Sequence, residues 1–249
     1  TFRNNVATSS GGAIYATTDG VRFNQIHNST LSGNSGNGGA AAIEVGGGVT
    51  WISNCTLTAN SSISGSTIQS YGDALTVTRL GNTIVAGNSS NGDLRLFNGS
   101  VQSIQSDGGN VIGDVGGITT MGATDVAGTS ASPVDPMLDP LADNGGPTLT
   151  HAIRAGSPAL NRGLVANIPA DIADADGDNN TTEPVPYDQR GVGYGRSVGT
   201  APDAGAFELG KIISIAALDA SKAEGSSGTT AFTFTVSRIG DTVGAAAVN

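Results

Sequence analysis

One eight-residue phrase returns three times along the chain at nearly constant spacing, and that return limits what the chain can fold into. Asn28-Ser29-Thr30-Leu31-Ser32-Gly33-Asn34-Ser35 is followed 26 residues later by Asn54-Cys55-Thr56-Leu57-Thr58-Ala59-Asn60-Ser61. After a further 28 residues comes Asn82-Thr83-Ile84-Val85-Ala86-Gly87-Asn88-Ser89, and Thr1-Phe2-Arg3-Asn4-Asn5 is a partial earlier copy. Between the copies, Gly12-Ala13-Ile14-Tyr15, Ala41-Ala42-Ile43-Glu44 and Asp73-Ala74-Leu75-Thr76 form a second recurring pattern. Each copy is a set of short alternating stretches separated by Gly, Asn and Ser, with no sustained helical period. A period in the mid-twenties built from strands and tight turns is one coil of a stacked β-structure.

Stacking makes the columns readable. Coils lie about 4.8 Å apart, so equivalent residues sit directly above one another. The repeat therefore predicts an inward apolar column of Phe2, Leu31, Leu57 and Val85. Ile14, Ile43 and Leu75 form a second, and Ile26, Ile52 and Leu80 a third. Asn5, Asn34, Asn60 and Asn88 are expected to form a ladder of mutually bonded amides at a bend. Asn also tolerates the left-handed backbone that a corner needs.

Composition agrees with small residues in stacked turns. The 249 residues include 38 Gly, with 13% charged and 4% aromatic residues, against about 25% charged in ordinary globular domains. A net charge of −10 with only two lysines, Lys211 and Lys222, leaves no basic stripe. Nucleic acid and anionic membrane surfaces are thereby disfavoured as partners. No run approaches the roughly 18 apolar residues of a membrane-spanning helix. The single cysteine, Cys55, excludes a disulfide framework and reads as a small core residue. The chain starts at Thr1 and stops at Asn249 within a strand-like pattern, as a fragment of a longer protein would.

From Phe2-Arg3-Asn4-Asn5 through Gly11-Gly12-Ala13-Ile14-Tyr15, the sequence resembles the repeats of polymorphic outer membrane proteins and other pectate-lyase-like β-helices. Further on come Gly108-Gly109-Asn110-Val111-Ile112-Gly113-Asp114, Asp135-Pro136-Met137-Leu138 and Pro140 through His151. Gly156-Ser157-Pro158-Ala159, Asp188-Gln189-Arg190-Gly191 and Asp203-Ala204-Gly205-Ala206-Phe207-Glu208 complete the series. This ordered set resembles the bacterial choice-of-anchor Q domain, a surface-protein module. Asn161 stands where that family usually has an acid, and Ile168 to Pro186 reads as an insertion. Residues 210–249, with Ile212-Ile213-Ser214-Ile215-Ala216 and Ala231-Phe232-Thr233-Phe234-Thr235-Val236, resemble the opening strands of a Calx-beta domain.

The resulting expectation is an all-β chain. Residues 1–133 are a right-handed parallel β-helix, 134–209 an irregular segment wrapping it, and 210–249 the first strands of an incomplete β-sandwich. The resemblance implies a secreted or cell-surface module for display, adhesion or spacing, with a surface glycan or protein as ligand. The alternative is a carbohydrate-active β-helix enzyme, a lyase or glycosidase, whose site lies largely outside this chain. A glycosidase needs two carboxylates at about 5–9.5 Å, yet Asp19, Glu44, Asp73 and Asp93 are not expected to stack. Glu44 aligns with Tyr15 and Thr76, and Asp73 with Gly12 and Ala41. Arg22, Arg79 and Arg95 are expected in loops, out of register with the acids. No catalytic residue is assigned. His151 is expected to be a docking residue at the helix end, and Trp51 a strand-face residue or a sugar platform.

One acidic run stands out, Asp171-Ile172-Ala173-Asp174-Ala175-Asp176-Gly177-Asp178-Asn179-Asn180. Oxygen ligands at alternate positions can wrap a calcium ion. Asp174, Asp176 and Asp178 are the expected metal ligands, with Glu183 or Asp188 closing the site. The EF-hand pattern fails, because Asn follows Asp178 and the twelfth position is Val185. By the Calx-beta resemblance, Glu224 is a further calcium ligand.

Overall fold

The computed structural model describes residues 1–18, 23–97, 103–210, 212–217, 227–228 and 230–239. Its body is a β-solenoid of about four turns, and each face of a turn adds one strand to a parallel sheet. The first turn holds β1 (Phe2–Arg3), β2 (Val6–Ala7), β3 (Ile14–Ala16) and β4 (Phe23–His27). The second holds β5 (Thr30–Ser32), β6 (Ser35–Gly36), β7 (Ile43–Val45) and β8 (Val49–Ser53). The third holds β9 (Thr56–Thr58), β10 (Ser61–Ser62), β11 (Ile68–Ser70) and β12 (Val77–Gly81). Above them lie β13 (Ile84–Val85), β14 (Leu94–Leu96), β15 (Ser103–Gly108), β16 (Val111–Ile112) and β17 (Val126–Ala127). The strands stack as β1-β5-β9-β13-β16-β17 in the first sheet and β2-β6-β10 in the second. They stack as β3-β7-β11-β14 in the third and β4-β8-β12-β15 in the fourth.

The first apolar column is as the repeat predicts. Phe2 pairs with Leu31, Leu31 with Leu57, and Leu57 with Val85, and Ile112 extends the series. Leu31, Leu57, Val85 and Ile112 are fully buried, whereas Phe2, on the terminal strand, is exposed. Ile26, Ile52 and Leu80 also share a register. The second column needs correction. Ile14 and Ile43 continue through Ile68 and Leu94, and Leu75 is 65% exposed. Glu44 therefore aligns with Tyr15, Gln69 and, one coil further, Arg95, and not with Thr76. Asp73 joins no strand. The extra residues of the third turn, Tyr71–Thr76, swell the corner between β11 and β12. There Asp73 caps its own turn by accepting from Leu75 N at 2.9 Å.

The asparagine ladder forms as expected. Nδ2 donates to the next Oδ1 at 2.9 Å from Asn5 to Asn34, 2.9 Å from Asn34 to Asn60, and 3.0 Å from Asn60 to Asn88. Asn88 then donates to Asp93 Oδ1 at 2.8 Å, which ends the series on a carboxylate. The left-handed backbone falls elsewhere than expected. It is adopted by the residues just before the ladder, Asn4, Gly33, Ala59 and Gly87, and at another corner by Asn28, Asn54 and Asn82. The ladder amides are aimed by the turn that precedes them.

Residues 134–209 carry no long strand and wrap the outward face of the first sheet. Ile84, Ala86 and Val111 on that face pack against Ile153, Ala159, Ala204, Phe207 and Leu209 in a second apolar core. The segment therefore docks along the side of the solenoid and not at its end. At Gly205 the contact is too close for a side chain. A Cβ on Gly205 would lie 2.8 Å from both Ile84 Cδ1 and Thr56 Oγ1, and its φ is +98°. Beyond it, β18 (Ile212–Ala217) and β19 (Phe234–Ile239) pair antiparallel.

Candidate metal centre

The stretch read as an insertion is a loop with a closed neck. Asp171 N donates to Glu183 O at 2.7 Å and Val185 N to Pro169 O at 2.8 Å, beside a bridge between Ala170 and Pro184. Within the loop, Asp174, Gly177 and Asn179 take left-handed conformations that fold the chain back on itself. Carboxylates turn inward to accept backbone N–H groups: Asp171 from Ala175 at 2.7 Å, Asp174 from Asn179 at 3.1 Å, and Asp178 from Asn180 at 2.7 Å.

This folding brings the expected ligands together. Asp174, Asp176 and Asp178 each place a carboxylate oxygen within 4.8 Å of the others. Asp171, Asp176 and Glu183 form a second such group, so Asp176 belongs to both. Asp171, almost fully buried, is a ligand candidate that the alternation rule misses, because its partner Glu183 lies across the neck. Asp188 does not close the site. Glu224 lies outside the described residues. Partial burial of Glu183, followed by the negative charges of Asp178 and Asp176, pushes its carboxyl above the usual range. The donor set is all oxygen, which suits a hard divalent cation, and the acidic cluster could hold one.

Asp188 belongs instead to a buried clasp built from the sequence motifs near the end of the wrap. It accepts from Arg190 Nη2 at 2.7 Å and from Glu208 N at 2.8 Å. Arg190 lies between the rings of Tyr194 and Phe207, at 4.0 and 3.8 Å. Arg196, 1% exposed, donates to Glu208 Oε2 at 2.7 Å. Asp203 accepts from Asn161 N at 2.6 Å and Leu209 N at 2.7 Å. Asn161 is left-handed there, which its side-chain type tolerates. Burial pushes Glu208 up to about 7, against the pull of Arg196. Each carboxylate is engaged by backbone N–H groups, so the cluster closes the wrap.

His151 is a docking residue. Its Nε2 meets Ser32 Oγ at 2.9 Å and its Nδ1 meets Asp139 O at 2.7 Å, while burial lowers its pKa. Cys55 is fully buried, and desolvation pushes its thiol up to about 12, which removes it as a nucleophile. Two arginines expected in loops are strand residues. Arg79 stands on β12 beside Trp51 of β8, and Arg95 on β14 shares the column of Glu44, two coils away across Gln69. Arg79 is paired with Asp107 through Nε at 3.0 Å. Asp19 and Arg22 lie outside the described residues.

Fold and loop thus define a β-solenoid with a clasped wrap and an acidic loop. Among the described residues, no helix is long and apolar enough to cross a membrane. In comparison with known proteins, the chain matches no family model, no curated protein and no solved structure.

Proposed function

We propose that this chain is a non-catalytic module of a secreted or cell-surface protein, of the choice-of-anchor Q kind, serving display, adhesion or spacing. The observation that carries this reading is the continuous amide ladder running beside the apolar columns. Stacked coils locked in this way make a stiff rod, suited to holding a binding surface away from a cell. The outward columns support it further. Glu44 and Arg95 are separated by Gln69, and Arg79 is engaged by Asp107, which leaves no base poised beside paired acids on these outward columns among the described residues. The test is incubation with a panel of acidic polysaccharides, together with antibody labelling of intact producing cells. The expected result is surface labelling and no release of unsaturated or reducing ends. Release abolished by a single acid substitution would overturn the reading in favour of a lyase or glycosidase.

Calcium is the cation proposed for the acidic loop. A surface loop of carboxylates accepts calcium's irregular coordination better than magnesium's strict octahedron. Its role is structural: relieving the repulsion among Asp174, Asp176 and Asp178 fixes the neck from Pro169 to Val185. Calorimetry should show calcium binding to the native chain and its loss in Asp176→Ala, with a lower melting temperature only when calcium is present. Equal heats from the two proteins would reduce the loop to a solvated acidic turn.

A further inference from the structure

The fourth sheet carries on its outward face a cleft that the scaffold does not require. Its floor is the column Gln25, Trp51 and Arg79, contributed by three successive coils. Its opposite wall is the chain from Ala166 to Ala170, which stands over the sheet beside the neck of the acidic loop. The space between them is about 420 Å³, within the roughly 300–1,000 Å³ of small-ligand sites.

Three features of the lining point to one kind of occupant. The first is aromatic. Trp51 is 42% exposed and stacks on Phe23, itself 58% exposed, with ring centroids 5.4 Å apart. The chain has one Trp and six Phe in 249 residues, so two stacked rings left toward water are costly by about 25 cal/mol per Å² of apolar surface. The second is charge. Arg79 lies over the Trp51 ring, 5.8 Å from its centroid, and is held by Asp107, so the pair adds no net charge. The third is polarity. Gln25 offers both an amide donor and an acceptor, and the His27 Nδ1 is buried without a hydrogen-bond partner. An aromatic ring beside neutral donors and acceptors matches a pyranose, which has an apolar C–H face and a rim of hydroxyls. Phosphate-bearing ligands are opposed by the net charge of −10.

We propose that this cleft binds an uncharged saccharide, with the exposed edge of Trp51, held between Phe23 and Arg79, against the apolar face of a sugar ring and Gln25 and the Arg79–Asp107 pair bonding its hydroxyls. The inference rests on the adhesion reading, since it names the class of ligand the rod would present itself to. The bonding side chains stand on the sheet, while the far wall at Pro169 and Ala170 adjoins the neck of the acidic loop, so binding is measured both with calcium and with chelator.

Trp51 is the sole tryptophan, so emission excited selectively at tryptophan, beyond the absorption of the four tyrosines, reports from this cleft alone. The probes are cellohexaose, xylohexaose, mannohexaose and chitohexaose, with hexagalacturonate as the charged comparator and a proline-rich decapeptide as the competing occupant. At least one neutral hexasaccharide should shift the emission along a saturating curve with Kd below about 1 mM, while hexagalacturonate leaves it unchanged. Gln25 is exposed, so Gln25→Ala should melt as the native chain does yet bind about tenfold more weakly, as loss of one bonded group implies. Trp51→Ala, followed by calorimetry, should abolish binding. The proposal is overturned if no neutral probe perturbs Trp51, if only hexagalacturonate or the decapeptide does, or if Trp51→Ala binds as the native chain does. Surface labelling and polysaccharide cleavage are read separately, so a failed titration leaves the display reading standing.

Discussion

Replacing Asn60 by alanine tests whether the amide ladder is the frame of the solenoid. Asn60 is fully buried. Its Oδ1 accepts from Asn34 N at 3.0 Å and Asn34 Nδ2 at 2.9 Å. Its Nδ2 is shared among Asn88 Oδ1 at 3.0 Å, Leu31 O at 2.9 Å and Thr58 O at 3.0 Å. Each lost bond is worth about 1 kcal/mol net, and the buried Asn34 N–H left without an acceptor costs a further 1–3 kcal/mol or so. The two Nδ2 hydrogens and the two bonds accepted by Oδ1 make four lost bonds, so Asn60→Ala should destabilise by about 5–7 kcal/mol. Asn5, at the open end, is exposed and its side chain makes one ladder bond, so Asn5→Ala should cost under about 1 kcal/mol. Urea denaturation followed by far-UV circular dichroism measures both, with equal slopes required for the comparison. Coils couple to their nearest neighbours, so the central rung should matter more than the terminal one. Equal losses in the two variants, or a loss at Asn60 under about 1 kcal/mol, would refute the ladder as a source of stability.

Other expectations follow from the same geometry. Leu57→Ala removes a side chain buried between Leu31 and Val85 and should cost about 2–5 kcal/mol; a loss below half a kcal/mol or so would place that column in solvent. Gly205→Ala puts a methyl group against Ile84 and Thr56 at a φ of +98°, a strain of about 1–3 kcal/mol. It should make the 134–209 segment the first cut in limited proteolysis while the β-sheet dichroism persists, and native-like resistance would mean the wrap is not seated there. Burial raises Asp93 from 3.8 to about 6, against hydrogen bonds from Asn88, Asp114 N and Thr67. The folded chain then holds a proton that the unfolded chain has released, so stability falls as pH rises from about 4 to about 6, by roughly 3 kcal/mol from this group. Carboxyl carbon NMR should find the Asp93 midpoint near the top of that window, and a midpoint at or below 3.8 would reverse the sign.

Some of this protein was settled along the chain and some only in space. A strict repeat with identical residue types at identical places specifies stacking, because each coil needs the next to bury its apolar face and to satisfy its amides. For that reason the Leu31–Leu57–Val85 column, the Asn ladder and the all-β class were legible from spacing alone. The register failed at Leu75. Corner length varies from turn to turn, and a local match such as Asp73-Ala74-Leu75-Thr76 cannot compete with the strand position fixed by hydrogen bonding to the coils on either side. Alternation brought Asp174, Asp176 and Asp178 together, since neighbours in a tight loop are neighbours in space. Asp171 with Glu183, the Arg190–Asp188 and Arg196–Glu208 pairs, and the wall of residues 166–170 opposite Trp51 were not legible in that way. Their partners are brought together by how the wrap seats on the solenoid, and close approaches such as that at Gly205, where only a hydrogen fits, help fix that seating.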